Sequence, residues 1–160
     1  MKKIGIIGTG TMGTDIAYLA AANEFDVALY DNNKYRIDNS LKIIHSRLER
    51  YKSENRISKT DIDKIISRLS PCMNKEDLCD IDIAIECVTE DLLIKQSVFT
   101  QLDNICEPGT IFASNTSSIS ITDIAKITDR PESCVGIHFL IPAHIMPIVE
   151  IIPGFRTTRE

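Results

Sequence analysis

Three glycines near the start of the chain constrain its fold more than any other feature. The motif GxGxxG occupies residues 8–13, directly after the apolar run at residues 4–7 and before an alanine-rich helical segment. In such a strand–turn–helix unit, Gly8 makes a tight turn, Gly10 lets a diphosphate approach the backbone and Gly13 lets the helix pack close to the strand. The free N–H groups and positive dipole end of the helix then face the phosphates. The cofactor-binding residues predicted for this turn are Gly8, Gly10, Thr11, Met12 and Gly13.

An acidic residue follows the second apolar run, where a dinucleotide fold needs one. Asp31 comes directly after residues 27–30 and eighteen residues after Gly13. Its carboxylate can accept both ribose hydroxyls of an adenosine and would repel a 2′-phosphate. Because the next two residues are asparagines and supply no arginine, we expect NAD rather than NADP. The alternative is that the glycines form only a turn and that Asp31 caps the next helix. A P-loop is excluded because no Gly-Lys-Ser/Thr follows the glycines.

Short apolar runs rich in β-branched residues alternate with longer helical patterns along the whole chain. Parallel strands need crossover connections, and helices supply them, so this alternation predicts a doubly wound, mostly parallel sheet of the Rossmann type. We interpret residues 1–160 as one α/β domain. The ambiguous stretch at residues 57–69 is predicted to be a short helix that runs into a strand near residues 68–73. The other expected strands are residues 4–7, 27–30, 81–88, 111–113, 134–140 and 148–152.

Helical spacing predicts which side chains face the core. One stripe on the second helix contains Ile37, Leu41, Ile44, Leu48 and Tyr51, and this leaves Lys42, Arg47, Glu49 and Arg50 for solvent. A later helix should turn Val98, Leu102 and Ile105 inward and end near residues 108–109. Ser120 and Asp123 resemble a capping box that opens another short helix.

Charge and composition exclude several classes of function. Eighteen Lys and Arg against twenty-three Asp and Glu give a net charge of −5, so we expect neither nucleic acid nor an anionic membrane as a partner. No apolar run is long enough for a membrane helix, and glycine interrupts the start too early for a signal peptide. We therefore expect a soluble, cytoplasmic protein. The five cysteines have no metal-site spacing, so no metal is expected.

Two polar residues interrupt patterns that otherwise indicate buried strands. His138 lies within residues 135–140 and Glu150 within residues 148–152. A buried carboxylate is unfavourable unless it is paired, and imidazole is a suitable partner. The polar segment at residues 114–118 follows another strand, at the sheet end where α/β proteins bind their ligands. From the residues alone, a structural core histidine remains the favoured alternative for His138.

Five ordered motifs resemble the N-terminal NAD-binding domain of the 3-hydroxyacyl-CoA dehydrogenase family. They are GIIGTGTMGTDIA, ALYD, IAIECVTEDLLIKQSVFTQLD, SNTSSISITDIA, and GIHF followed by PIVEII, and the resemblance extends from residue 3 to about residue 158. The family oxidises the 3-hydroxyl group of an acyl thioester with NAD, or reduces the 3-keto form. The resemblance therefore implies an NAD-dependent oxidoreductase of fatty acid metabolism.

The resemblance also implies roles for individual residues. His138 matches the catalytic histidine that takes the hydroxyl proton, Glu150 the carboxylate that orients it, and Ser117 the serine that hydrogen-bonds the reacting oxygen. Glu90 and Lys95 match nicotinamide-side and ribose contacts. The implied cofactor-binding residues outside the glycine turn are Asp31, Glu90, Lys95 and Asn115.

Three departures from the family pattern keep alternatives open. Ile141 replaces an asparagine that binds substrate and cofactor. Glu24 replaces a glycine, and we expect Asn23 to take the left-handed conformation that ends the first helix. The family's helical C-terminal domain, which closes the site and makes the dimer, is absent from this chain. The alternatives are an NAD-binding or partner-docking module without catalysis, or a dehydrogenase for a hydroxyacyl group on a carrier protein.

These departures lead to expectations about partners. The substrate would be an acyl-CoA or acyl-carrier-protein thioester, and the chain would form a homo-oligomer or bind a separate C-terminal-domain partner. An exposed apolar patch is expected near residues 145–152, which that domain would cover. A basic run could meet CoA phosphates or could equally be a solvated helix face. It consists of Arg47, Arg50, Lys52 and Arg56.

Overall fold

The β-branched segments of the chain pair into one seven-stranded sheet. The computed structural model describes residues 3–158. Within this range the strands are β1 (Lys3–Ile7), β2 (Asp26–Tyr30), β3 (Leu69–Pro71), β4 (Ile83–Glu86), β5 (Ile111–Ser114), β6 (Cys134–Phe139) and β7 (Val149–Pro153). Each expected strand is present, with bounds shifted by a few residues, and the ambiguous stretch is indeed a helix followed by β3.

Helices connect the strands, and side chains cap the first turns of four of them. Asn33, Ser58, Asp91 and Ser120 each accept a hydrogen bond from a backbone N–H in the first turn of the helix that follows. The helices are α1 (Thr11–Ala22), α2 (Lys34–Ser53), α3 (Lys59–Ser67), α4 (Leu92–Ile105) and α5 (Ile121–Ala125), with short 3-10 turns at Lys75–Leu78 and Pro131–Ser133. No helix within residues 3–158 combines the length and apolarity that crossing a bilayer requires.

The strand order confirms the doubly wound, mostly parallel fold. The order across the sheet is β3-β2-β1-β4-β5-β6-β7, and every neighbouring pair is parallel except β6 and β7. The chain winds outward in one direction through β2 and in the other through β5, so the order reverses between β1 and β4. Ligands of such sheets bind at this reversal, beyond the carboxyl ends of the strands.

Two apolar layers cover the faces of the sheet. One layer packs α1, α2 and α3 against it, and the other packs α4 and α5. As predicted, Ile37, Ile44 and Leu48 are buried on α2. On α4 the central buried apolar residue is Phe99, which the helical spacing did not single out. Each such side chain contributes roughly 1.5–3 kcal/mol to folding through burial.

Two expectations about the first helices are wrong. Arg47 does not face solvent: its side chain is only 12% exposed, because Asp15 of α1 offers it a buried carboxylate. Asn23 does not take the left-handed conformation, since its φ is −101° while Glu24 has φ 70°. With Glu24 in this conformation, the N–H groups of Glu24 and Phe25 donate to carbonyl oxygens in the last turn of α1.

Candidate active site

The glycine turn has the shape that the motif predicts. Gly8 has φ +97°, and a Cβ atom there would lie 2.8 Å from the Cys87 carbonyl group. A Cβ on Gly13 would lie 1.9 Å from the Gly8 carbonyl oxygen, so α1 and β1 can approach this closely only without a side chain. In contrast, a Cβ on Gly10 would meet nothing within 4 Å. The space beside Gly10 is therefore open to a ligand.

The first turn of α1 has backbone donors that no side chain caps. Gly10 is the N-cap residue and makes no side-chain capping bond. Thr11 and Met12 follow it in the first turn and line the adjoining cleft. Free N–H groups at the positive end of a twelve-residue helix suit an anionic diphosphate. The turn thus fits the cofactor that the motif predicts.

Asp31 lies at the end of β2 and is held by the same turn. Its Oδ2 accepts from the Thr9 backbone N–H at 2.9 Å, and its Oδ1 accepts from the Asn33 N–H at 3.0 Å. Asn33, rather than Asp31, is the N-cap of α2. The alternative of Asp31 as a helix cap is thereby excluded, and the carboxylate is fixed at the mouth of the cleft.

A cleft of about 760 Å³ joins these elements at the point where the strand order reverses. This volume is in the range of cofactor pockets. Its walls include Gly8, Gly10 and Asp31 on one side, and Cys87 and Val88 beyond β4 on the other. The cleft also contains Arg36 and Lys75. Sequence reasoning considered only the residues adjacent to Asp31. It missed these two cations, which line the same cleft as Asp31.

His138 and Glu150 form a hydrogen-bonded pair on neighbouring strands. They are directly opposite each other in the antiparallel β6–β7 register, with His138 Nδ1 2.6 Å from Glu150 Oε2. Because an ionised carboxylate can only accept, Nδ1 carries a proton. His138 Nε2 lies 3.0 Å from Ser117 Oγ. In the neutral imidazole, Nε2 is then a hydrogen-bond acceptor that faces the Ser117 hydroxyl group.

This pair is more open than its sequence pattern indicates. The His138 side chain is 20% exposed and that of Glu150 is 55% exposed. The expectation of a buried strand around Glu150 is wrong, because β7 is an edge strand and all its residues are exposed. The expected apolar patch is confirmed: Ile145, Ile148 and Ile151 are among the exposed large apolar residues. A structural core histidine would be enclosed, which His138 is not.

Glu90 organises the loop that carries Ser117. Its Oε1 accepts from the backbone N–H groups of Ser117 and Ser118, both at 3.2 Å, and from the Ser118 hydroxyl at 2.9 Å. Burial alone would raise the pKa of Glu90, but hydrogen bonds from the Thr116 and Ser118 hydroxyls and the Lys95 ammonium outweigh it and lower the pKa to about 2. Glu90 is therefore ionised at neutral pH and fixes this loop.

Lys95 lies beneath the surface and makes a buried ion pair. Its side chain is 1% exposed, and its Nζ is 2.8 Å from Glu86 Oε1 and 3.3 Å from Glu90 Oε2. The resemblance implies a ribose contact for Lys95, whereas in the structure its polar contacts are protein carboxylates. Glu86 also accepts from Ser114 Oγ at 2.6 Å and from the Val88 N–H at 2.7 Å. Sequence reasoning missed Glu86, although a glutamate within an apolar strand run was a usable signal.

Asn115 and Cys87 complete the rim of the site. The Asn115 side-chain oxygen accepts from the Phe139 backbone N–H at 2.9 Å, so it ties the end of β5 to the strand that carries His138. Burial raises the pKa of the Cys87 thiol, which remains protonated and unreactive as a nucleophile. Within residues 3–158, no group of three His, Cys, Asp or Glu side chains could hold a metal ion.

The comparison with protein families shows which family the chain belongs to. The family described as 3-hydroxyacyl-CoA dehydrogenase, NAD binding domain, matches residues 3–160. The chain belongs to this family. The predicted NAD cofactor and the Rossmann-type sheet agree with that membership.

Relatives of known name have the same domain within longer chains. A 3-hydroxybutyryl-CoA dehydrogenase from Clostridioides difficile is 40% identical over 157 residues, which are 98% of this chain and 56% of the relative. A crystal structure of 3-hydroxybutyryl-CoA dehydrogenase from Escherichia coli K12 aligns with a TM-score of 0.97 at 35% identity and covers 99% of this chain and 34% of that one. For (S)-3-hydroxybutyryl-CoA dehydrogenase from Ralstonia eutropha, the TM-score is 0.96 at 33% identity, with 99% and 56% covered. The chain spans about half the length of the 3-hydroxybutyryl-CoA dehydrogenase relatives it matches and a smaller share of longer relatives.

Proposed function

We propose that this domain transfers a hydride between NAD and the 3-hydroxy or 3-keto position of an acyl thioester, as part of fatty acid metabolism. The observation that carries the proposal is the continuous chain Ser117–His138–Glu150, which lies at the ligand-binding end of an NAD-binding fold. The glycine turn and the cleft hold the cofactor, and the three side chains transfer the proton of the hydroxyl group. We also propose a cytoplasmic location.

The side chains divide the proton chemistry among them. NAD, when bound, accepts the hydride from the carbon that bears the hydroxyl group. His138 Nε2 takes the hydroxyl proton, and the imidazolium that forms is stabilised by Glu150 at Nδ1. Ser117 Oγ, which lies 3.0 Å from Nε2, hydrogen-bonds the reacting oxygen. In the reverse direction the imidazolium returns the proton to the oxygen of the 3-keto group.

The cofactor contacts proposed for this reaction follow the cleft. Backbone donors of Gly10, Thr11 and Met12 would hold the diphosphate, and the carboxylate of Asp31 would hold the adenosine ribose. Gly8 and Gly13 shape the turn without side chains. Glu90 and Asn115 would lie at the nicotinamide end of the cofactor. Lys95 would contribute through its ion pair with Glu90.

The proposed substrate is a thioester of CoA. Lys42 and Arg50 line an open surface cavity of about 520 Å³ beside α2 and could meet its phosphates. Arg47 contributes less, because Asp15 already pairs with it. An acyl-carrier-protein thioester remains the variant of this proposal, since the exposed Ile141 stands where the family has a substrate-binding asparagine.

A further domain is proposed to complete the site. Residues 1–160 act as the NAD-binding domain, and a helical domain covers the exposed apolar residues of β7 and the segment before it. That domain would belong to the same polypeptide or to a separate partner, or the patch would be covered by a second copy of this chain.

Turnover of residues 1–160 with and without an added helical domain tests the proposal. We expect NADH oxidation by acetoacetyl-CoA when a separately produced helical domain is added, and little by the chain alone. His138→Gln should lower the rate by about 10²–10⁴-fold, the usual contribution of a general base, without unfolding the domain. His45→Gln is the matched control, because His45 is exposed on α2. Absence of activity in both settings, or full activity of His138→Gln, would refute the proposal.

The second candidate function is an NAD-binding module without chemistry. The observation that favours it is Ile141, because the chain lacks the polar group that its family uses at this position. Calorimetric titration would then show tight NAD binding while no thioester substrate exchanges hydride with the cofactor. Turnover in the experiment above would exclude it.

A further inference from the structure

The segment that joins β6 to β7, residues 140–148, separates His138 from Glu150. Most of its large side chains project into solvent: Ile141 is 72% exposed and Ile145 is 66% exposed. The pairs His138–Glu150 and Phe139–Val149 are the last of the β6–β7 ladder before this segment. The catalytic pair thus lies at the open end of an edge hairpin, where strand pairs separate most readily.

Two consecutive residues anchor this segment to the rest of the domain. Ala143 is buried in the core layer of α1 and α2. His144 follows it, six residues after His138 and six before Glu150. Its Nδ1 lies 2.8 Å from Oδ2 of Asp15, a contact that spans 129 positions of sequence. The midpoint of the segment is therefore attached to the first helix of the dinucleotide fold.

Asp15 is itself fixed by a second partner. Its Oδ1 accepts from Arg47 Nη2 at 2.6 Å, so each carboxylate oxygen has its own partner. Tyr18 packs against both partners: its ring meets His144 edge-on, with centroids 6.3 Å apart, and Arg47 lies 5.1 Å from its centroid. The side chains of Asp15, His144 and Arg47 are only 7%, 11% and 12% exposed. A carboxylate buried this deeply and ion-paired holds its partners more firmly than a surface pair does.

We propose that His144 is a positioning residue for the reaction described above. Its bond to the Asp15–Arg47 ion pair holds the β6–β7 segment in place and thereby keeps Glu150 against His138. The inference rests on the proposed function for its catalytic meaning. Its physical content, which is that one contact on α1 controls order at the end of the β6–β7 hairpin, can be measured without cofactor or substrate.

Matched substitutions at His144 test this directly. His144→Leu keeps the bulk of the side chain but has no donor, while His144→Asn retains a donor close to the position of Nδ1. Asp15→Asn weakens the same bond from the other side. His45→Leu is the control, because His45 lies on an exposed position of α2. Circular dichroism establishes that each variant is folded.

Hydrogen–deuterium exchange of the whole chain is the first measurement. Peptides that cover residues 140–151 should exchange about tenfold faster in His144→Leu and in Asp15→Asn, since a charge-assisted bond is lost there. Peptides from β1 and β2 should be unchanged, and His144→Asn should restore slow exchange. A general loss of stability would instead accelerate all peptides.

NMR of the His138 ring is the second measurement. The proton on Nδ1, bonded to Glu150, should give a downfield signal that His144→Leu broadens or removes and His144→Asn restores. In turnover assays of an active preparation, His144→Leu should lower kcat about tenfold with little change in the KM for NAD.

Two results would overturn the proposal. One is unchanged exchange and an unchanged His138 signal in both folded His144→Leu and folded Asp15→Asn. The other is acceleration that spreads over the whole domain and is not reversed by His144→Asn. Failure of the proposed function can be distinguished from failure of this inference. A wild-type chain that shows no turnover would still give the exchange and NMR results described above.

Discussion

The glycine turn and the catalytic corner of this domain are built by different means. The turn lies within residues 8–13 and is shaped by backbone: its constraints are the absent side chains of Gly8 and Gly13. The corner brings together side chains from β4, α4, the loop after β5, and both strands of the β6–β7 hairpin. The turn should therefore respond to added bulk, whereas the corner should respond to the removal of charge or hydrogen bonds.

The largest effect on stability is expected from the ion pair beneath the corner. Lys95→Met would leave Glu86 as a carboxylate with no exposed surface and no cation. Breaking a buried pair in this way costs about 3–5 kcal/mol of unfolding free energy. Urea unfolding measures the loss, and Lys126→Met, which breaks an exposed pair with Asp123, should change stability little. Equal effects of the two substitutions would contradict the contrast between buried and exposed pairs.

The next effect is expected at the turn, where two glycines give opposite outcomes. Gly13→Ala would place Cβ 1.9 Å from the Gly8 carbonyl oxygen, so α1 must move away from β1 and about 3 kcal/mol of stability should be lost. Gly10→Ala meets open space and should leave stability within about 1 kcal/mol of wild type while it weakens NAD binding. Denaturant unfolding of both variants measures the loss of stability, and NAD titration measures the loss of affinity for the cofactor. Similar losses of stability in the two variants would show that the contact between residue 13 and the Gly8 carbonyl oxygen does not determine the packing of α1 against β1.

A smaller effect, confined to acid, is expected from Glu90. Its pKa falls from an ordinary value of 4.5 to about 2 in the folded protein, so its ionised form stabilises the fold. This contribution is complete above pH 4.5 and disappears as the pH falls towards 2. Wild type and Glu90→Gln should therefore differ in unfolding free energy by a constant amount at neutral pH, and the difference should shrink over that acid range. A difference that grows as the pH falls would reverse the assigned sign.

The smallest effect is expected at the end of α1. Glu24 has φ 70°, a conformation that costs a non-glycine residue roughly 1–2 kcal/mol. Glu24→Gly should stabilise the domain by about 1 kcal/mol in thermal or urea unfolding. This is a net value, because the greater conformational entropy of glycine in the unfolded chain offsets part of the relieved strain. Asn23→Gly is the matched control and should destabilise, because Asn23 has φ −101° and its side-chain amide donates to the Leu19 carbonyl oxygen.

The turn and the sheet could be predicted from the sequence because their signals are local. A strand, three glycines and a helix follow each other within about twenty residues, and Asp31 comes soon after. The doubly wound, mostly parallel sheet was also accessible, since alternating strands and helices allow few topologies. The antiparallel edge and exposure of β7 were not, because an apolar run looks the same whether it is covered or open.

The catalytic corner was predicted only with the help of the family resemblance. His138 and Glu150 stood out as polar residues in apolar runs, but their spacing alone did not separate a catalytic pair from a structural one. The Glu86–Lys95 pair went unnoticed although its two residues are only nine positions apart. The contacts of Asp15 went unnoticed because tertiary structure joins residues far apart in sequence. Arg47 illustrates the limit: its helical position predicts solvent, and only the packing of α1 against α2 supplies its carboxylate.

The reversed direction of β7 determines where the chain lies when it reaches Thr158. The Thr158 N–H donates to the Glu132 carbonyl oxygen, just before β6 begins, whereas His138 lies towards the other end of that strand. At about 3.3 Å per residue, the two points are separated by roughly 15–20 Å along the strand. A fluorophore attached by a short linker at Thr158 would therefore start about that distance from His138, which leaves room for titration of the cleft.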